Sequence, residues 1–255
     1  MYSVTQRIRM LEQPRGGYLP AKMFDETLLT TNVGLHAQES ISPALVGLVV
    51  DYLTRFMDGD TKEEAFRISL IGAKVLGNEE LGKAITLLSK IEGLDKDSIY
   101  YACKLVGYDS AYRAGPRAYR PVENIIADEE TVENIQVMVE RSLSFLAEYG
   151  PTMLNGFTLG KESMTHLIGS GDGDFLTEDT LWDFKVSKYG PTKDHALQLM
   201  IYYLMGRKSK GVEEKMRTVK YLGIYNPRLN AVYRIALKDI DVETIRSIET
   251  EVIGY

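Results

Sequence analysis

The chain has 255 residues, 44% of them apolar and 26% charged, enough for one large domain or for a core with an added subdomain. A single cysteine, Cys103, excludes an internal disulfide framework and a cysteine-built zinc cluster. The formal charge of −6 argues weakly against nucleic acid, since an enzyme touches DNA with one face and a metal site brings carboxylates of its own.

The N-terminal stretch lacks the apolar run of a secretory signal. The longest apolar segment, 44–50, is far shorter than the roughly 18 residues of a membrane helix, so the expected setting is a reducing cytoplasm with no membrane partner. Local basic groups stand out at Arg113/Arg117/Arg120, Lys185/Lys188/Lys193 and Arg207-Lys208-Ser209-Lys210. Each reads either as a solvated surface or as a contact for phosphate.

Up to Gly150 the chain reads as helices. Ser42-Pro43 combines an N-cap with a proline at the first helical position, and the helix it opens is predicted to stop near Gly59. Thr61-Lys-Glu-Glu64 is a capping box for a helix running towards Gly77. Asn78 caps the next, with Leu81, Ile85, Leu88 and Ile91 at helical spacing as far as Gly93. A short helix is expected around Ser98–Val106. Segment 107–121 has no clear period and reads as a connecting loop. A long helix over Glu129–Tyr149 then meets the firm stop Gly150-Pro151.

Beyond Pro151 three short strand-like segments follow, MLNGFTL, HLIGSGDGDFL and TLWDFKVS. Pro191-Thr192 opens a helix from Lys193 to Met205, closed by Gly206. Two strands, VKYLGIY and AVYRIAL, are joined by the turn Asn226-Pro227-Arg228, and Asp241 caps a final helix over Val242–Val252. The expected class is α+β: a helical N-terminal region over residues 1–125 and a core over 126–255 built as helix, three strands, helix, two strands, helix.

The informative segment is 171–185. With Glu178-Asp179 as the tip of a two-residue hairpin, Thr177 faces Thr180, Leu176 faces Leu181, Phe175 faces Trp182, and Asp174 faces Asp183. Directly opposed residues point to one side, with β-carbons roughly 5 Å apart. Alternation puts Leu181, Asp183, Lys185 and Ser187 on that side and Trp182, Phe184 and Val186 on a buried one. Two opposed aspartates repel, and a divalent cation between them removes that cost. A hard Mg²⁺ ion held by one or two carboxylates suits the arrangement. Lys185, one pleat from Asp183, is placed to orient or deprotonate a water or to neutralise transition-state charge. The competing readings are a solvated hairpin and a calcium-binding hairpin. In the second, Asp172, Asp174 and Asp183 fall at positions 1, 3 and 12 of a calcium loop, but Leu176 and Thr177 stand where an oxygen ligand and a glycine are needed. On the helix that follows, Gln198 and Tyr202 share a face, with Asp194 and His195 one turn earlier and Leu197, Met200, Ile201 and Met205 opposite. His195 reads as a surface or capping histidine.

Asp174, then Asp183-Phe-Lys185, then Gln198-Leu-Met-Ile-Tyr202 resembles the PD-(D/E)XK nuclease superfamily, in particular its RecB-like, phage-type exonuclease branch, which carries Gln-x-x-x-Tyr after the catalytic strand. The resemblance covers the last half of the chain and implies an α/β/α restriction-endonuclease-like core. It implies that Asp174 and Asp183 hold Mg²⁺ or Mn²⁺, that Lys185 is the catalytic lysine, and that Gln198 and Tyr202 are accessory catalytic residues. Gly47-Leu-Val-Val-Asp51 has the spacing of an early-helix ligand, with aspartate where histidine is usual, so Asp51 is a candidate third ligand. Glu140 and Glu148 are its alternatives.

DNA is the implied partner, with Lys188, Lys193, Arg113 and Arg117 as candidate phosphate contacts and the helical half as one wall of a DNA channel. A homo-oligomer and a recombination or repair partner protein are both compatible with the branch. The implied activity is a metal-dependent deoxyribonuclease, an exonuclease by the Gln-x-x-x-Tyr resemblance alone. A structure-specific endonuclease of the same fold and an inactive DNA-binding or partner-binding module are the alternatives.

Overall fold

The computed structural model describes every residue of the chain except Asn32. The chain divides into two compact units, one formed by Met1–Leu29 with Leu146–Tyr255 and the other by Thr30–Phe145. Among the described residues no helix is long and apolar enough to cross a membrane.

The first unit opens with strand β1 (Tyr2–Ser3) and helix α1 (Val4–Met10), whose capping box joins Ser3 and Gln6. Strand β2 (Asp25–Leu28) follows. The helical unit contains α2 (Pro43–Met57), α3 (Lys62–Ala65), α4 (Arg67–Leu76), α5 (Asn78–Ser89), α6 (Lys96–Leu105) and α7 (Asp109–Arg113). It also holds α8 (Glu129–Tyr149), whose last turn already belongs to the first unit. The first unit resumes with β3 (Leu154–Thr158), β4 (Ile168–Ser170), β5 (Asp172–Leu176), β6 (Thr180–Phe184) and α9 (Lys193–Gly206). It ends with α10 (Glu213–Thr218), β7 (Tyr221–Asn226), β8 (Ala231–Ala236) and α11 (Val242–Ser247), which runs into a π-turn over Ile248–Ile253.

Two of the capping signals in the helical unit act as expected, whereas Asn78, expected as a cap, is the first helical residue of α5, whose N-cap is Gly77 with no side-chain cap bond. Ser42 Oγ accepts from the Leu45 N–H at 3.4 Å, and Thr61 and Glu64 close their box at 3.2 and 3.0 Å. The helix opened by Thr61 breaks at Phe66, which is fully buried and meets the Tyr52 ring edge-on at 5.6 Å.

Segment 107–121, expected as a loop, instead carries α7 and buries Tyr108, Asp109 and Ala111. Asp109, 1% exposed, accepts from Tyr52 Oη and Ser69 Oγ at 2.6 Å each and pairs with Arg113 Nε at 3.4 Å. Burial pushes its carboxyl above the ordinary range, and these donors oppose that rise. Arg113, expected as a phosphate contact, thus pairs with a buried carboxylate of its own unit while its side chain stays exposed. A five-residue helix whose buried residues include an aspartate leaves no hydrophobic period to read.

A mixed six-stranded sheet, in the order β2-β8-β7-β6-β5-β3, forms the frame of the first unit. Its β6–β7 pair is parallel and its other pairs are antiparallel. Strand β1 pairs in parallel with β4, outside that sheet. The boundary expected at residue 125 is thus replaced by a division that returns residues 1–29 to the C-terminal unit. Strand β2 supplies the edge beside β8, and α1 packs on α9.

Both faces of the hairpin strands are covered. Leu176 and Leu181 join the core cluster that contains most of α9. On the other face Phe175 and Trp182 stack at 6.2 Å, and Tyr149 meets Trp182 edge-on at 5.5 Å. Trp182 Nε1 donates to Thr177 Oγ1 at 2.9 Å, which ties the ring back across the hairpin.

The Trp182 ring lies over Gly223, its partner in the parallel register, where an added Cβ would come within 2.3 Å of Trp182 Cε3. Gly223→Ala is therefore expected to displace the indole and destabilise the fold by about 2 kcal/mol, the scale of core overpacking. A urea denaturation midpoint equal to that of the wild type would refute this account of the aromatic face.

Candidate functional site

The hairpin register is the one its pattern predicts: Phe175 pairs with Trp182 and Leu176 with Leu181, and the Thr177 N–H donates to Thr180 O at 3.0 Å. The paired ladder stops at Phe175. One residue further, the Phe184 N–H donates to the Asp174 side chain, Oδ2, at 2.7 Å. A carboxylate thus takes the place of a backbone carbonyl where the two strands part. Asp174 and Asp183 come together at that opening.

Asp183 is 1% exposed and lies on the face covered by α9, not on an open one. Its Oδ1 accepts from Lys185 Nζ at 2.9 Å. Its Oδ2 is buried with no hydrogen-bond partner. Burial pushes the Asp183 carboxyl above the ordinary carboxylate range, while the Lys185 ammonium and the Asp174 side chain act in the opposite direction. A buried carboxylate oxygen without a donor is costly, and a bound cation is one of the few groups that offsets it.

Helix α9 was expected to be amphipathic, with a polar stripe facing outward. It is instead buried nearly all round, from Ala196 through Gly206. Gln198 Nε2 donates to Tyr202 Oη at 3.0 Å, joining the two residues four apart. Tyr202 is 4% exposed, and its phenol is pushed well above its usual value, first by burial and then by the charges of Asp174, Asp183 and Asp172. It is therefore a fixed O–H beside the carboxylates.

The first turn of that stripe is used for capping. Thr192 Oγ1 accepts from the His195 N–H, and His195 Nδ1 accepts from the Thr192 N–H at 3.3 Å, so the ring proton sits on Nε2. Burial and the nearby Lys185 charge lower His195 to about 4, which leaves it neutral at physiological pH. Asp194 Oδ1 accepts from Gln13 Nε2 at 2.6 Å, a contact from the N-terminal segment that nothing in the sequence signals.

The remaining candidates divide clearly. Lys188 and Lys193 are exposed, on the loop after β6 and at the start of α9. Arg117 is exposed in the helical unit. Asp51 on α2 and Glu140 on α8 also lie in the helical unit, and Glu140 accepts from Gln136 Nε2 at 3.1 Å. Glu148 is exposed on the last turn of α8. Among the described residues no three His, Cys, Asp or Glu side chains form a group that could hold a metal ion. Asp172 is an exposed strand residue opposite Thr158, which is incompatible with position 1 of a calcium loop.

Sequence reasoning also missed Asn226, which is 2% exposed. Its Nδ2 donates to Ser187 O at 2.8 Å and to Tyr189 O at 3.2 Å, and its Oδ1 accepts from the Arg228 N–H at 3.0 Å. The Asn-Pro-Arg triplet signals a turn, but not a clamp on a loop 39 residues earlier.

Because the folded-state value of Asp183 is raised above 3.8, its contribution to stability is complete below that value and is lost as pH rises through the folded value. In EDTA the melting temperature of wild type is therefore expected to fall relative to Asp183→Asn as pH is raised out of the ordinary carboxylate range. A difference that does not vary with pH would contradict a strained, ionisable Asp183. Compared with protein-family models, with curated proteins and with solved structures, the chain finds no match.

Proposed function

We propose that the protein is a metal-dependent phosphodiesterase of the PD-(D/E)XK type that hydrolyses DNA. The observation that carries this reading is the buried Asp183 carboxylate, with one oxygen on Lys185 and the other without a partner, next to Asp174 at the open end of the hairpin. The mixed sheet supports the same reading. Its antiparallel β3-β5-β6 segment is followed by α9 and by β7 parallel to β6, an order consistent with a restriction-endonuclease-like core.

The donor set fits a hard divalent cation. Asp174 and Asp183 would hold Mg²⁺ or Mn²⁺, with water and phosphate oxygens as the remaining ligands. When bound, such an ion supplies Lewis-acid polarisation of a phosphate oxygen. Lys185, held by Asp183 at 2.9 Å, orients the attacking water and neutralises charge on the phosphoryl oxygens as the water oxygen bonds to phosphorus and gives its proton to solvent, and the P–O ester bond breaks with the leaving oxygen taking a proton from solvent. As the ammonium partner of a carboxylate it acts by charge, not as the base. Tyr202, braced by Gln198, offers a neutral hydroxyl on the same side and fixes how closely α9 approaches the strands. Attack at DNA ends follows from the Gln-x-x-x-Tyr resemblance.

The test is cleavage of end-labelled linear duplex and of circular duplex by the purified chain with Mg²⁺ or Mn²⁺. Degradation of the linear form alone is expected, and Asp183→Ala and Lys185→Ala should each lower the rate by about a hundredfold or more, the scale of losing one transition-state charge contact. Nicking of circles would make the protein an endonuclease. Absence of cleavage by wild type, or full activity in both variants, would remove the enzymatic reading.

A further inference from the structure

The loop that leaves the candidate site, residues 185–192, presents an aromatic ring to solvent from a fixed backbone. Tyr189 is 79% exposed, the most exposed tyrosine, phenylalanine or tryptophan among the described residues. Its backbone is nevertheless held on both sides. Its carbonyl accepts from the buried Asn226 at 3.2 Å, and its N–H donates to Ser187 Oγ at 3.1 Å. Ser187 is held in turn by the same Asn226, through its carbonyl at 2.8 Å and its N–H at 3.4 Å. Gly190 rests on Tyr233, where an added Cβ would stand 3.4 Å from the hydroxyl. The buried Asn226 thus fixes the backbone on either side of Tyr189 and leaves the ring in solvent, open to whatever meets the loop from outside.

The surrounding charge indicates what that is. From Lys185, which is paired with Asp183, to Lys193 the chain carries two further lysines, Lys188 and Lys193, and no acidic residue, in a protein whose net charge is −6. Lys188 and Lys193 are both exposed, and Tyr189 lies four residues beyond Lys185. A cationic loop with a pre-ordered aromatic face is the chemistry that binds an unpaired nucleobase, the lysines meeting phosphate and the ring stacking on the base. An apolar peptide would require a larger uncharged surface than one tyrosine between lysines.

We propose that Tyr189 is a stacking platform for an unpaired base of single-stranded nucleic acid, held by Asn226 beside the Asp174/Asp183/Lys185 site. The proposal rests on the phosphodiesterase reading for its substrate class and adds the strand state: the site engages a strand whose base has left the duplex. Exposed as it is, the ring can be removed without disturbing the core, so the variants needed to test it should melt as the wild type does.

The experiment is fluorescence anisotropy of the full chain with a fluorescein-labelled oligothymidylate and with a labelled blunt duplex, both in EDTA. Tyr189→Ala should weaken oligothymidylate binding on the order of tenfold, Tyr189→Phe and Tyr189→Trp should retain it, and duplex affinity should be unchanged. Unaltered binding by Tyr189→Ala, equal losses in Tyr189→Phe and Tyr189→Ala, a parallel loss on the duplex, or no binding of oligothymidylate by wild type would each overturn the proposal. A wild type that cleaves nothing, yet loses oligothymidylate affinity on Tyr189→Ala, would remove the nuclease reading and leave the stacking site standing. An active nuclease whose binding ignores Tyr189 would do the reverse.

Discussion

Two carboxylates, Asp174 and Asp183, sit on adjacent strands at the point where the β5–β6 ladder ends, and the burial of Asp183 there is the constraint on which the rest of the first unit depends. Backbone pairing stops after Phe175 and Trp182, and the Asp174 side chain then accepts the N–H of Phe184. That substitution lets the strands part without leaving a donor unsatisfied. It also holds one Asp174 oxygen against the backbone. Asp183, across the gap, is given only one cation, Lys185, for two buried oxygens. Such an arrangement destabilises the isolated chain and must be held by its surroundings. The holding force comes from the Phe175–Trp182–Tyr149 face on one side and from α9 on the other.

Helix α9 can act as that second wall only because it is apolar on nearly every side. A helix of this kind needs neighbours all round it, and one sheet face supplies only part of them. The rest comes from α1, α10 and the π-turn near the C-terminus. Residues 1–29 are therefore part of the unit that carries the site. The contact of Gln13 with Asp194 ties that segment to the start of the helix, a few residues from the loop bearing Lys188. Removal of the N-terminal segment would expose one side of the helix that carries Gln198 and Tyr202.

What could be read in the sequence follows from the range of the interactions involved. The hairpin register was legible because a two-residue tip and a period of two fix every pairing within ten residues. The caps at Ser42, Thr61, Thr192 and Asp241 were legible for the same reason, since each closes within three residues. Strand β2 was not legible. Its sequence Asp-Glu-Thr-Leu has no apolar face, and its partner β8 lies some 200 residues away in the chain. The burial of α9 was underestimated because Gln198, Tyr202 and His195 look like a polar stripe, although two of them pair with each other and the third closes a cap. The pairing of the exposed Arg113 with Asp109 was not legible because Asp109 is a buried charge, which no hydrophobic pattern reveals.

The parallel pairing of β6 and β7 explains why the loop after β6 can be fixed at all. In a parallel pair both strands finish at the same end of the sheet, and a crossover helix must return the chain to the start. Here Phe184 pairs with Tyr225, and the Lys185 N–H still donates to Tyr225 O at 3.0 Å. The next residue of β7, Asn226, therefore arrives beside Ser187. Had β7 run antiparallel, its first residue would stand there, followed by the strand and not by a turn. Because a turn follows, the Asn226 side chain can hold the Arg228 and Leu229 N–H groups with Oδ1 while Nδ2 reaches back to the loop. The topology that gathers Asp183 and Lys185 at one strand end thus also supplies the residue that holds the adjoining loop, and with it Tyr189, in place.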